Sequence, residues 1–168
     1  MKKGFTLIEV IIVIVMLITL TAVSAYIYHA ILLSWSSQQM RAGIGIDIDR
    51  AIEELARDLR EARQVQSASD EIRFTQDNSA YYIYYLYNAN DIYPLSFNQS
   101  SYQLRKAPLT GGLSGNFTYG SGQIILNDVL SPPASDLSMS ANLITIDASI
   151  RRGDETIRSR TQVKPRNA

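Results

Sequence analysis

Residues 5–33, FTLIEVIIVIVMLITLTAVSAYIYHAILL, hold one acid, Glu9, and one histidine, His29, and no other formally chargeable acid or base. The 19 residues from Val10 to Tyr28 carry no formal charge and, as a helix rising about 1.5 Å per residue, extend about 28 Å. That is close to the bilayer hydrocarbon core of about 30 Å. Within hydrocarbon a lone segment satisfies its backbone groups only as a helix. The run therefore predicts an amino-terminal helix that meets a membrane. Lys2 and Lys3 precede it and the next basic residue is Arg41, which favours a cytoplasmic start and an exported carboxyl end.

Three fates are open to such a segment. Val23-Ser24-Ala25 supplies small residues for signal-peptidase cleavage after Ala25, which would release a soluble periplasmic or secreted binding protein. An uncut single-span anchor is the second. The third turns on Glu9, a carboxylate at the start of the apolar run, where burial costs about 3 kcal/mol or more and marks a function with a partner. Placed at the interface beside Lys2 and Lys3, Glu9 would instead stay hydrated.

Lys3-Gly4-Phe5-Thr6-Leu7-Ile8-Glu9-Val10 resembles the leader junction of type IV pilins and type II secretion pseudopilins. The likeness is a short basic leader (Lys2, Lys3), Gly before the cut, Phe after it, Glu as fifth residue beyond the cut, and a membrane-length apolar helix. The resemblance implies that a prepilin peptidase cuts between Gly4 and Phe5 and methylates the new Phe5 amino group. It implies a single-pass protein of the bacterial inner membrane, amino terminus cytoplasmic and carboxyl-terminal domain periplasmic, later drawn into a periplasmic or surface filament by an inner-membrane assembly platform. Glu9 would then face the charged Phe5 amino group of a neighbouring pilin or pseudopilin. A carboxylate and an ammonium tolerate burial together far better than either alone, and a mispacked subunit would leave both unpaired.

The chain lacks the helix proline and the cysteine pair frequent in major pilins of that family, and Asp154-Glu155 is too sparse for the calcium loop of major pseudopilins. A minor subunit of a tip or initiation complex is the expectation. The layout is similar to the minor-subunit group of type II secretion system protein J and pilus assembly protein W, through Leu55-x-x-Asp58-Leu59-x-x-Ala62-Arg63, Ile72-Arg73-Phe74, the Tyr-rich strand and Tyr102-Gln103-Leu104-Arg105.

Residues 34–40 are polar apart from Trp35, an interfacial anchor or a helix-bundle contact, and Met40. Gly43 and Gly45 each weaken a helix by about 1 kcal/mol and predict a bend or melted turn, with a continuous helix as the alternative. Helical order returns over 46–66, where Ile48, Ile52, Leu55, Leu59 and Ala62 form one apolar stripe and Arg50, Glu53, Glu54, Arg57, Asp58, Arg60, Glu61 and Arg63 the other faces. Strands are predicted at 71–76, 81–87, 101–106, 123–130, 142–151 and 155–163, with Arg152-Gly153-Asp154 as a hairpin turn and Gly-, Pro- and Ser-rich loops at 107–122 and 131–141. The expected fold is α+β: a long helix, membrane half plus amphipathic half, packed on an antiparallel sheet. Its parts are a leader (1–4), a membrane or filament-core helix (5–33), a stalk and amphipathic helix (34–66) and a β-rich domain (67–168).

Nothing else carries chemistry strongly. Sixteen basic against sixteen acidic residues argue against nucleic-acid binding, and the absence of cysteine removes disulfides and Cys-ligated metals. Tyr81, Tyr82, Tyr84, Tyr85 and Tyr87 offer a stacking platform, although tyrosine is an ordinary strand residue. Arg152-Gly153-Asp154 reads better as a turn than as an adhesive tripeptide, and Asn98-Gln99-Ser100 and Asn116-Phe117-Thr118 as plain loop residues rather than glycosylation acceptors. His29 reads as a packing or interfacial residue, Asp47/Asp49 and Asp154/Glu155 as solvated acids. No catalytic site, metal or cofactor is predicted.

Overall fold

The computed structural model describes residues 6–68, 70–140 and 143–166. Its elements are a helix α1 (Leu7–Glu61) and eight strands: β1 (Gln64–Ala68), β2 (Glu71–Thr75), β3 (Tyr81–Tyr87), β4 (Ser101–Leu109), β5 (Gln123–Leu130), β6 (Asp136–Ser140), β7 (Leu143–Arg152) and β8 (Glu155–Val163). The chain divides into two compact units, Met1–Ala42 and Gly43–Ala168. The expected α+β class, one long helix and an antiparallel sheet, is what the structure has.

In the first unit every described residue from Thr6 to Ala42 is exposed except the half-buried Ser37. Two hydroxyls within its apolar run are satisfied by the helix itself. The Thr19 hydroxyl donates to the Val15 and Met16 carbonyls, and that of Thr21 to Leu17 and Ile18. Such back-bonding lets hydroxyls enter an apolar medium without stranding a donor.

The melted turn expected at Gly43 and Gly45 is not present: both residues are helical within α1. Ile44 and Ile48 are fully buried in the second unit, so packing on either side of Gly45 outweighs the propensity penalty. The predicted stripe is otherwise nearly right: Ile48, Leu55, Leu59 and Ala62 are buried and Ile52 half-buried. Ile44, Ala51 and Ala56 join it, and so does Asp58, which the stripe had placed on a solvated face.

The helix ends at Glu61 rather than at 66. The Arg63 N–H bonds the Thr75 carbonyl (2.8 Å), and β1 pairs antiparallel with β2. The sheet runs β1-β2-β3-β4-β5-β7-β6, with β8 on the other edge of β7 and every pairing antiparallel. It curls, bringing β6 beside β1 and β2. β1 and β6 are additions to the six predicted strands. Where the edge of β7 passes from β6 to β5, the Ser149 N–H donates to the Ser135 hydroxyl (3.0 Å) and the Ser149 hydroxyl to the Ala134 carbonyl (2.6 Å). The predicted 152–154 turn is present, with Gly153 at φ 59°, a conformation glycine adopts without strain.

Alternation in the strands splits the side chains between two cores. Ile72, Phe74, Tyr84, Leu86, Tyr102, Leu104, Ile144, Ile146 and Ile150 face the buried stripe of α1. On the reverse face Ile83, Tyr85, Ala107 and Leu109 form a smaller cluster with Phe117 and Tyr119 of the 110–122 loop. Gly122 (φ 88°) carries that loop against β4, where a Cβ would lie 2.2 Å from the Lys106 carbonyl oxygen.

Candidate functional site

The processing residues expected from the sequence, Lys2, Lys3, Gly4 and Phe5, lie outside the described residues. Glu9 is exposed at the start of α1. There the Thr6 N–H and hydroxyl donate to Glu9 Oε2 (3.0 and 3.1 Å), and the Glu9 N–H donates to Thr6 Oγ1 (3.4 Å). This is a capping box: Thr6 is the N-cap and Glu9 reaches back from the third helical position to bond the cap's own amide. Thr6-x-x-Glu9 was legible as that motif before an apolar run, a role the sequence reading missed while attending to the charge of Glu9. A carboxylate in the first turn is also favoured by the helix dipole.

From this cap the apolar surface continues along the first unit. Leu7, Met16, Leu20 and Tyr26 are 67–80% exposed, and Val10 to Ile18 are all at least 44% exposed. The helix is long and apolar enough to cross a membrane. His29 and Trp35 lie on its exposed surface, and Val23-Ser24-Ala25 lies within unbroken helix.

The five-tyrosine run divides between the two sheet faces. Tyr84 and Tyr85 are fully buried and Tyr81, Tyr82 and Tyr87 half-buried. The Tyr84 ring stacks on Phe74 (centroids 5.3 Å apart), and its hydroxyl donates to Asp58 (2.7 Å). Burial, then the Asp58 carboxylate, push that hydroxyl far above its ordinary pKa. Lys106 pairs with the same carboxylate and lies over the rings of Tyr82, Phe74 and Tyr84. The Tyr85 hydroxyl donates to the Ser121 carbonyl (2.7 Å) and accepts from the Gly120 N–H (3.1 Å), while Arg105 stacks on Tyr87 (4.4 Å) and bonds the Gly120 carbonyl. The tyrosines thus pin the helix to one face and the 110–122 loop to the other, which leaves little of a ligand platform.

A second carboxylate organises the 88–98 loop. Asp91 accepts from the Ser96 hydroxyl (2.6 Å), the Tyr102 hydroxyl (2.8 Å) and the Ile92, Ser96 and Phe97 amides (2.9, 3.3 and 3.1 Å). The Ser96 bond, followed by those from Tyr102 and the backbone, holds its carboxyl down at about 2. A folded pKa below the unfolded one adds stability that is present above about pH 4 and is lost as pH falls toward 2. We expect Asp91→Asn to flatten that part of the profile. Asp77 and Asp147 are depressed as well, so the readout is the difference in urea midpoint between wild type and variant across pH 4 to 2. An unchanged difference would remove Asp91 from this role.

Among the described residues no three His, Asp or Glu side chains converge as a metal site. The chain matches no protein-family model, no curated protein and no solved structure.

Proposed function

We propose that the chain is a minor pilin-like subunit of a type II secretion or type IV pilus filament, cut between Gly4 and Phe5 by a prepilin peptidase and assembled through its amino-terminal helix in a tip or initiation complex. It would sit first in a bacterial inner membrane with its sheet domain in the periplasm, and its partners would be other pilins or pseudopilins and the assembly platform. Its work is assembly and recognition, without catalysis or cofactor.

One observation carries the reading. A single helix is apolar and exposed over its first half yet supplies the core of a folded domain with its last turns. Water is a poor solvent for such a surface, whose exposed apolar side chains exceed anything a soluble monomer tolerates. A bilayer first and neighbouring helices later would cover it. The capped start at Thr6 also suits a new amino terminus one residue away, since the Glu9 carboxylate is already drawn to that end. Release after Ala25 is less well supported, because the small residues there lie inside regular helix.

Mass spectrometry of the protein from its native membrane tests this. We expect a chain beginning at N-methylated Phe5, and Gly4→Glu should leave only full-length precursor. A mature chain beginning at Tyr26, or one retaining Met1, would overturn the reading.

A further inference from the structure

The geometry points to the free edge of β8 as a strand-addition site for an extended segment of a partner protein that carries acidic side chains at alternate positions. β8 pairs with β7 in nine consecutive residue pairs, Arg152↔Glu155 to Ile144↔Val163, with no bulge. Among the described residues nothing pairs with its opposite edge. The other end of the sheet is not comparable. β1 has only five residues, and β6 lies beside it.

Natural sheets blunt an exposed edge with proline, a bulge or charges that project over it. Residues 155–163 contain no proline. The two arginines among them are turned toward β7. Arg158 reaches across to β7 and grips Asp147 with Nε (2.8 Å) and Nη2 (2.5 Å), and Arg160 approaches the same carboxylate at 4.0 Å. The edge is left long, regular and uncovered, the form that main-chain pairing with a foreign strand requires.

Charge selects the occupant. Residues 143–166 contain six basic and three acidic residues in a chain that is neutral overall. On the face away from α1, Thr156, Arg158, Arg160 and Gln162 are exposed, and one carboxylate, Asp147, serves both arginines. Arg166, just past the strand, lines an open cleft with Arg60, Arg63, Gln76 and one acid, Glu61. A second copy is a poor occupant: full-length antiparallel β8–β8 pairing, centred on Ser159, would set Arg158 of each copy opposite Arg160 of the other, and like charges across a ladder are destabilising. Glutamates at alternate positions of a foreign strand would lie opposite these arginines, while its other side chains would continue the face of Ile157 and Thr161.

The test uses the full chain in detergent and a labelled probe peptide, Thr-Glu-Val-Glu-Val-Glu-Val-Glu-Thr. Fluorescence anisotropy should show saturable binding, and hydrogen exchange should show new protection at β8 amides. A lysine-for-glutamate peptide should bind about ten-fold more weakly or worse, and so should one of two peptides N-methylated at alternate residues, the one whose blocked amides face β8, while the other, methylated on its outward amides, should bind as the parent does. Thr156→Glu with Gln162→Glu, which removes no ion pair, should weaken binding similarly. If that variant misfolds, the peptide series on the wild-type chain still decides. No saturable binding, equal binding by the N-methylated peptides, protection away from β8, or β8 protection that rises with chain concentration alone would each overturn the proposal.

Discussion

Asp58→Ala should destabilise the sheet domain by about 3 kcal/mol, the largest effect expected of any single charge in it. The side chain of Asp58 is 8% exposed and that of its partner Lys106 is 22% exposed. Truncation strands two groups at once: the Lys106 ammonium, held among three rings, and the Tyr84 hydroxyl, which loses its acceptor. Breaking a buried pair by removing one member costs about 3–5 kcal/mol, and the residual access of Lys106 to water places this case at the lower end. Asp58→Asn keeps an acceptor for Tyr84 and should lose less. Asp58→Leu with Lys106→Met, which removes both charges, should recover most of the loss, because well-packed apolar side chains often replace a buried ion pair without penalty. Urea unfolding of the full chain in detergent, followed by tyrosine near-ultraviolet circular dichroism, measures all four proteins. A loss below about 1 kcal/mol for Asp58→Ala would show that the clasp contributes no more than a surface pair.

The same residue shows where the sequence was legible and where it was not. Period-3.6 and period-2 patterning found α1 and six strands because those elements bury long apolar faces, and β3, β5 and β8 begin and end where the alternation does. Asp58 stands three residues after Leu55 and four before Ala62, on the stripe by spacing alone. Its charge hid that position, since a lone acid reads as solvated until a partner is seen, and Lys106 lies 48 residues away. β1 was missed because the apolar residues of Gln64–Ala68, Val65 and Ala68, do not alternate, and the strand is held by its pairing with β2 rather than by its own pattern. β6 was missed for a related reason: Leu137 and Met139 alternate, but over too few residues to stand out from the Pro-Ser loop before them. The glycine pair was misread in the opposite sense, its local preference overridden by the burial of Ile44 and Ile48. At the helix start the cap Thr6-x-x-Glu9 was local and readable, whereas any partner for Glu9 outside the chain is not.

That division makes Glu9 the residue whose substitution separates local from intermolecular roles. The structure gives Glu9 a task inside its own helix, receiving both the amide and the hydroxyl of Thr6. The proposed assembly gives it another, facing a neighbour's Phe5 ammonium. Glutamine suits the third position of a capping box as glutamate does, so Glu9→Gln keeps the cap and removes only the charge. If the charge pair directs assembly, Glu9→Gln should be cut normally at Gly4, keep the helix content of the wild type, and recover at least about ten-fold less partner subunit on co-purification from native membranes, since an ammonium withdrawn from water without its counterion is penalised by several kcal/mol. Glu9→Ala should lose the same assembly and in addition the reach-back half of the capping box, the bonds from the Thr6 amide and hydroxyl, while the Glu9 N–H keeps its bond to Thr6 Oγ1. Glu9→Asp keeps the charge on a shorter arm and should assemble in part. Should Glu9→Gln assemble as the wild type does while Glu9→Ala fails, the cap alone would account for the residue, and the intermolecular pair would have to be abandoned even if cleavage at Gly4 is established.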